Sequence, residues 1–180
     1  GVAHTVGYIK YPQIDRSGVY YEKNFSARDG VERAYDRELK GVNGSKLVET
    51  DVQGIVTSES VIQSPVDGAT LALSIDARVT EALYKAIASF AHQGGFTGGA
   101  AVIMDVRTGE LLALTSYPEY DQNALTHGMD QESFNLLLNN KGKPFLNRAI
   151  GGLYTPGSIV KPILALVALN EKIISPDKEI

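Results

Sequence analysis

Residues 98–118, GGAAVIMDVRTGELLALTSYP, constrain the fold more than any other stretch of the chain. Two apolar runs, 100–104 and 111–114, flank a turn at Arg107-Thr108-Gly109, which is the pattern of a β-hairpin. The runs are continuous rather than alternating, which predicts a sheet covered on both faces. Immediately upstream, ARVTEALYKAIASFAHQ follows Asp76 and precedes Gly94-Gly95, a capped helix with a glycine stop. Its apolar residues Val79, Leu83, Ala86, Ile87 and Phe90 fall on one helical face. A helix laid beside a hairpin places the chain in the α+β class.

The region before residue 70 reads differently. SARDGVERAYDRELKG, 26–41, predicts a helix with Asp29 as its cap and Gly41 as its stop. Strand signals follow in SKLVETDVQGIV and SVIQSPVDGATLALSID, with Asp67-Gly68 as a hairpin turn. A composition shift near residue 70 therefore divides the chain into a small α+β module, 1–72, and a second part, 73–180, built on a sheet hairpin flanked by helices. Residues 118–148 are polar and turn-rich, with one short helix over Gln131–Asn139. No repeat or low-complexity tract occurs.

Bulk properties exclude several function classes. The 43% hydrophobic content of the 180 residues is that of a globular protein with a core. A net charge of −4, with no run of Lys or Arg, argues against a nucleic-acid partner. The absence of cysteine removes disulfides, thiolate nucleophiles and cysteine-based zinc sites. His4, His92 and His127 lack metal-ligand spacing, so they read as surface or packing residues, and no metal or cofactor is expected. No stretch reaches the roughly 18 apolar residues of a membrane span. The acidic group Asp15, Glu22, Asp29 and Glu32 reads as a solvated face. Tyr8, Tyr11, Tyr20 and Tyr21 read as packing residues.

Chemistry concentrates in AIGGLYTPGSIVKPILALVALN, 149–170. Ser158 and Lys161 are three apart at the start of an apolar helix, so the amine can reach the hydroxyl. A serine becomes a nucleophile only when a base removes its proton. A lysine acts as that base only when neutral, which calls for burial, here by Ile159, Val160, Ile163 and Leu164. Pro162 has no N–H, so the Ser158 carbonyl loses its α-helical partner, which places the helix start at or just before Ser158. No Gly-x-Ser-x-Gly elbow surrounds Ser158, which argues against a Ser-His-Asp hydrolase.

NRAIGGLYTPGSIVKP resembles the active-site segment of the penicillin-binding proteins, the serine transpeptidases that cross-link peptidoglycan. LALSIDARV, GGAAVIMDVRTGELLALTSYPEYDQN and LNRAI are similar to further family segments in the same order. RDGVERAYDRELKG resembles the stretch preceding the transpeptidase domain in the monofunctional, class B type. The resemblance implies a pedestal or dimerisation-like module over 1–72 and the N-terminal part of a serine β-lactamase-like transpeptidase domain over 73–180, an antiparallel sheet flanked by helices. It makes Ser158 the acylated nucleophile and Lys161 its general base. The implied substrate is the D-Ala-D-Ala end of a peptidoglycan stem peptide, with β-lactams as covalent inhibitors. Proteins of an elongation or division complex are the implied partners, at the periplasmic face of the inner membrane with the anchor upstream.

The family's Ser-x-Asn and Lys-Thr-Gly elements follow the nucleophile. Here Ser133-Phe134-Asn135 and Arg107-Thr108-Gly109 imitate them but precede Ser158, and are better read as part of a short helix and as a hairpin turn. The expectation is thus a chain that holds nucleophile and base without the rest of the site, and that is inactive by itself. The alternative is a β-lactam sensor or other non-catalytic penicillin-binding module. Exposed sheet edges would leave a homodimer, or strand swapping, open to the chain folded alone.

Overall fold

The computed structural model describes residues 1–14, 16 and 20–177, with the side chains of Tyr20, Tyr21 and Glu22 outside the description, as is Asp15. In chain order the elements are α1 (Ala3–Val6), β1 (Ile9–Lys10), β2 (Gln13–Ile14), β3 (Tyr20–Glu22), β4 (Ser26–Ala27), α2 (Gly30–Ala34), α3 (Asp36–Leu39), β5 (Ser45–Thr50) and β6 (Val56–Gln63). They continue with α4 (Ala77–Gly94), β7 (Gly99–Met104), β8 (Leu111–Tyr117), α5 (Gln122–His127) and α6 (Gln131–Leu138). A 3-10 turn, Gly157–Val160, leads into α7 (Lys161–Asn170). The α+β class is as the sequence predicts, with short antiparallel strand pairs β1–β4, β2–β3, β5–β6 and β7–β8.

The 98–118 hairpin forms with Ile103 opposite Ala113 and Gly99 opposite Tyr117. Its turn is closed by Asp105, whose Oδ1 accepts from Arg107 N at 2.8 Å, while Gly109 at φ 79 donates to Asp105 O. The covering differs from the expectation. Helix α4 lies over the face carrying Ala113 and Thr115, and Tyr84 of α4 meets the Tyr117 ring edge-on at 5.6 Å. On the opposite face Val102 and Leu112 stay exposed, and only the Ser116 end is covered. One covered face is what a single helix can supply.

Helix α4 starts as read: Asp76 Oδ1 accepts from Arg78 N at 2.8 Å and Val79 N at 3.3 Å, and Gly95 closes it in the left-handed region. Its buried side keeps the predicted Leu83 and Ile87, both half-buried, but extends to the row on the other side of them from Val79 and Phe90. Thr80 and Ala91 are buried and Tyr84 faces the sheet, whereas Phe90 is 71% exposed. Small residues at 80 and 91 let the helix approach a strand whose own inward residue is Ala113, and the bulky Phe90 has no room there.

The first module departs further. The predicted 26–41 helix is broken at Tyr35 into α2 and α3. Asp29 occupies the cap position without capping, because its Oδ2 accepts from the Tyr120 hydroxyl at 2.8 Å instead. It is thus a tertiary contact rather than part of a solvated face. The second hairpin turns at Asp51–Gly54, not at Asp67-Gly68. Asp51 Oδ1 accepts from Gln53 N and Ile55 N, and Gly54 has φ 82. Asp67-Gly68 instead lies against the end of α3, where Val66 pairs with Val42 and Ala69 N donates to Glu38 O. A Cβ at Gly68 would stand 1.8 Å from the Leu39 carbonyl oxygen, so the glycine serves close approach rather than a turn.

The core joins the first residues of the chain to the 120–145 region. Ala3, Tyr120 and Leu125 are buried together, with Tyr8, Met129, Phe134 and Phe145 packed around them. Tyr120 stacks on Phe145 at 5.3 Å between ring centroids and also faces the Ala3 carbonyl. Helix α5, unexpected from the sequence, positions Leu125 in this cluster and is capped by Asp121 Oδ1 through Asn123 N and Ala124 N.

Candidate functional site

Ser158 and Lys161 are placed by the backbone chemistry of Pro162. In a continuous α-helix the Ser158 carbonyl would accept from residue 162, which has no N–H. The chain resolves this by tightening into the 3-10 turn Gly157–Val160, where Lys161 N donates to Ser158 O. Gly157 enters that turn at φ 59, a conformation glycine adopts without penalty. In 3-10 geometry residues three apart eclipse, so the two positions stack over each other along the turn. The α-helix proper then begins at Lys161, with Pro162 in its first turn where the missing donor costs least.

The surroundings do not meet the expectation of a dry pocket. Ser158 and Lys161 are both exposed, and neither side chain makes a hydrogen bond among the described residues. The predicted covering residues are open as well, Ile159 at 77%, Ile163 at 63% and Leu164 at 60% exposure. Helix α7 is apolar nearly all round and packs mainly on its own 3-10 turn among the described residues. A helix apolar all round is of the kind that other proteins bury.

What carries the chain into this turn is anchored firmly, and the sequence reading passed over the anchor. Arg148 is buried with its guanidinium inside the 142–148 loop, Nη1 donating to Lys143 O at 3.3 Å and Nη2 to Gly142 O. Its backbone N donates to Ser116 Oγ at 3.0 Å, and Ser116 Oγ donates to Leu146 O at 3.1 Å. Gly98 makes room, since a Cβ there would lie 2.6 Å from Arg148 Nε. The available signal was an arginine two residues after Leu146 in a segment with no carboxylate to pair it. Asn147 holds the following turn, its carbonyl accepting from Gly151 N at 2.7 Å and its Oδ1 from Ala149 N.

The two look-alike motifs are structural. Ser133 caps α6 with Asp130, its N and Oγ donating to the carboxylate at 2.9 and 2.7 Å. Arg107-Thr108-Gly109 is the β7–β8 turn. His127 Nδ1 meets Asn123 O and His92 Nε2 meets the Tyr117 hydroxyl, while His4 is 6% exposed and edge-on to Tyr120. Among the described residues no group of three or more His, Cys, Asp or Glu could hold a metal. No helix among them is long and apolar enough to cross a membrane.

Comparison with known proteins covers both halves. The penicillin binding protein transpeptidase domain matches residues 99–180, and the penicillin-binding protein dimerisation domain matches residues 1–73. The peptidoglycan D,D-transpeptidase MrdA of Escherichia coli K12 is 34% identical over 183 residues, covering 97% of this chain and 28% of that protein. The crystal structure of Pseudomonas aeruginosa PBP2 in complex with WCK 5153 is similar with a TM-score of 0.71 at 32% identity, over 98% of this chain and 34% of that one. A structure reported for the coordination of polymerization and crosslinking by a peptidoglycan synthase complex gives a TM-score of 0.76 at 30% identity, over 98% of this chain and 33% of the matched one. The chain thus spans 28% of the length of the curated relative.

Proposed function

The chain belongs to the penicillin-binding protein family, and on that premise we propose that the protein is a peptidoglycan D,D-transpeptidase with Ser158 as acylated nucleophile and Lys161 as general base. The reading is supported by the Pro162-dictated 3-10 turn, which sets backbone positions 158 and 161 one above the other at the head of an apolar helix. In the reaction Ser158 Oγ attacks the penultimate D-Ala carbonyl of a stem peptide as Lys161 Nζ takes its proton. The terminal D-Ala leaves with a proton, and the acyl group passes to an amine of a neighbouring strand, which regenerates the hydroxyl. β-Lactams enter by the same attack and remain on the serine.

A neutral lysine needs a low-dielectric setting, and Lys161 gains it when the rest of the transpeptidase domain covers Ile159, Ile163 and Leu164. The protein works at the extracytoplasmic face of the membrane, held by an anchor carried elsewhere in the full-length protein, in a complex of cell-wall synthesis.

The test is labelling of the full-length protein with a fluorescent penicillin. Label is expected on Ser158, lost in Ser158→Ala, and slowed about 10²- to 10⁴-fold in Lys161→Ala, the usual worth of a general base. The 180-residue chain alone, with both side chains open to water, is expected to take up no stoichiometric label. Labelling at another residue, or an unchanged rate in Lys161→Ala, would overturn the assignment.

A further inference from the structure

A cleft of about 600 Å³ opens between the first module and the α5–α6 region, remote in sequence from Ser158. Its walls include Tyr8, Lys10, Tyr11, Arg28, His127 and Gln131, and no carboxylate among the described residues lines it. On a chain of net charge −4 this is a locally cationic concavity. The side chains of Lys10 and Arg28 make no ion pair or hydrogen bond among the described residues, and both are exposed.

The uncharged groups are oriented as well. The Tyr11 ring is braced by Phe25 at 5.5 Å and by His127 at 5.9 Å between centroids. Tyr8 is fixed edge-on to Tyr120 at 5.7 Å. His127 Nδ1 donates to Asn123 O at 2.7 Å, which leaves Nε2 for another partner. Gln131 Nε2 donates to Asn135 Oδ1 at 2.9 Å, which leaves its carbonyl oxygen as an acceptor. Aromatic faces take the C–H faces of pyranose rings, amide and imidazole groups take hydroxyls, and an unpaired guanidinium takes a carboxylate.

We infer that this cleft binds an acidic saccharide, a short pyranose chain bearing carboxylate groups. The lining favours a sugar over an acidic peptide. Recognition of a peptide draws on apolar anchor pockets or an open strand edge. Here the apolar residues of the lining, Leu125, Met129 and Phe134, are already packed in the core cluster. The inference does not rest on the role of Ser158, so either can fail without the other.

The test is a ¹⁵N titration of the 180-residue chain with a hyaluronan tetrasaccharide, alternating glucuronate and N-acetylglucosamine. Chitotetraose, a triglutamate peptide and inorganic phosphate form the other arms. Saturable shifts are expected at Lys10, Tyr11, Arg28 and His127, weakening as salt rises, with chitotetraose bound about tenfold or more weakly. The paired substitution Lys10→Gln and Arg28→Gln should weaken the acidic saccharide about tenfold or more while leaving resonances of α4 and β8 in place. Absence of saturable shifts at the cleft, or equal binding of triglutamate or phosphate, would overturn the inference.

Discussion

The molecule contains two antiparallel hairpins of similar size, and they have opposite fates. Strands β5 and β6 pair from Ser45 opposite Gln63 to Thr50 opposite Val56, with two register shifts, and every residue of both is exposed. Strands β7 and β8 pair with one shift, and Ala113, Thr115 and Ser116 of β8 are buried. The difference lies in what stands behind the strands. Helix α4 covers one face of β7–β8, and Asp76 N and the Ser74 hydroxyl donate to Leu112 O and Leu111 O along its outer edge. Nothing among the described residues does this for β5–β6, whose Lys46–Glu59 ion pair is solvent-exposed and worth little. A lone hairpin is marginal in water, so cover rather than pairing decides which one is a scaffold.

The largest effect is expected at the point where the covered hairpin meets the segment leading to Ser158. Arg148→Ala strips donors from the Gly142, Lys143 and Leu146 carbonyls and empties space beside Gly98. We expect about 3 kcal/mol lost in urea unfolding, with the 142–148 loop no longer held against β8. A loss under 1 kcal/mol would break the contrast, because the covered region would then owe little to its anchor.

Next comes Tyr120→Phe, which removes the hydroxyl shared by Asp29 and Ala3, at about 1–2 kcal/mol. Burial, first, and then the Asp29 hydrogen bond hold the Tyr120 phenol well above the ordinary value of 10.0. A raised phenol keeps its proton in the fold, so its contribution is complete below pH 10.0 and falls as pH rises past it. Stability measured from pH 9 to 11 should drop less steeply in Tyr120→Phe, and parallel curves would refute the link.

His4 gives a smaller effect of opposite sign. Desolvation lowers it from 6.5, so its stabilising contribution is present above that value and declines as pH falls below it. His4→Phe should flatten the acid limb of the curve between pH 7 and 5. The smallest effects sharpen the hairpin comparison itself. Asp76→Ala is expected to lower the global unfolding midpoint through the α4 cap. Asp51→Ala should only speed amide exchange within β5–β6, and a global shift from it would show that hairpin to be integrated after all.

Where the sequence was legible, the signal was local. The Asp76 cap, the Arg107-Thr108-Gly109 turn, the short helix at Gln131 and the break imposed by Pro162 all follow from chemistry within four residues, and the structure repeats them. The failures are contacts made at long range. Asp29 has the form of a cap but is claimed by Tyr120, and Gly68 has the form of a turn but is claimed by Leu39 O. The face of α4 holds at Leu83 and Ile87 but fails at Val79 and Phe90, which are more apolar than the buried Thr80 and the sheet-facing Tyr84, so periodicity alone favours the wrong edge. Placement of Ser158 and Lys161 on one turn was legible, whereas dryness around Lys161 is a property of neighbours and not of the segment.

The shared cluster of Ala3, Tyr8, Tyr120 and Leu125 has a consequence for anyone recombining these sequences. A chimera that splices residues 1–73 of one relative onto residues 99–180 of another inherits half of a core from each parent. Such hybrids should fold only when the residues at 3, 8, 29, 120 and 125 travel as one set, so the crossover that looks natural in the linear order is a cut through the middle of a packed interior.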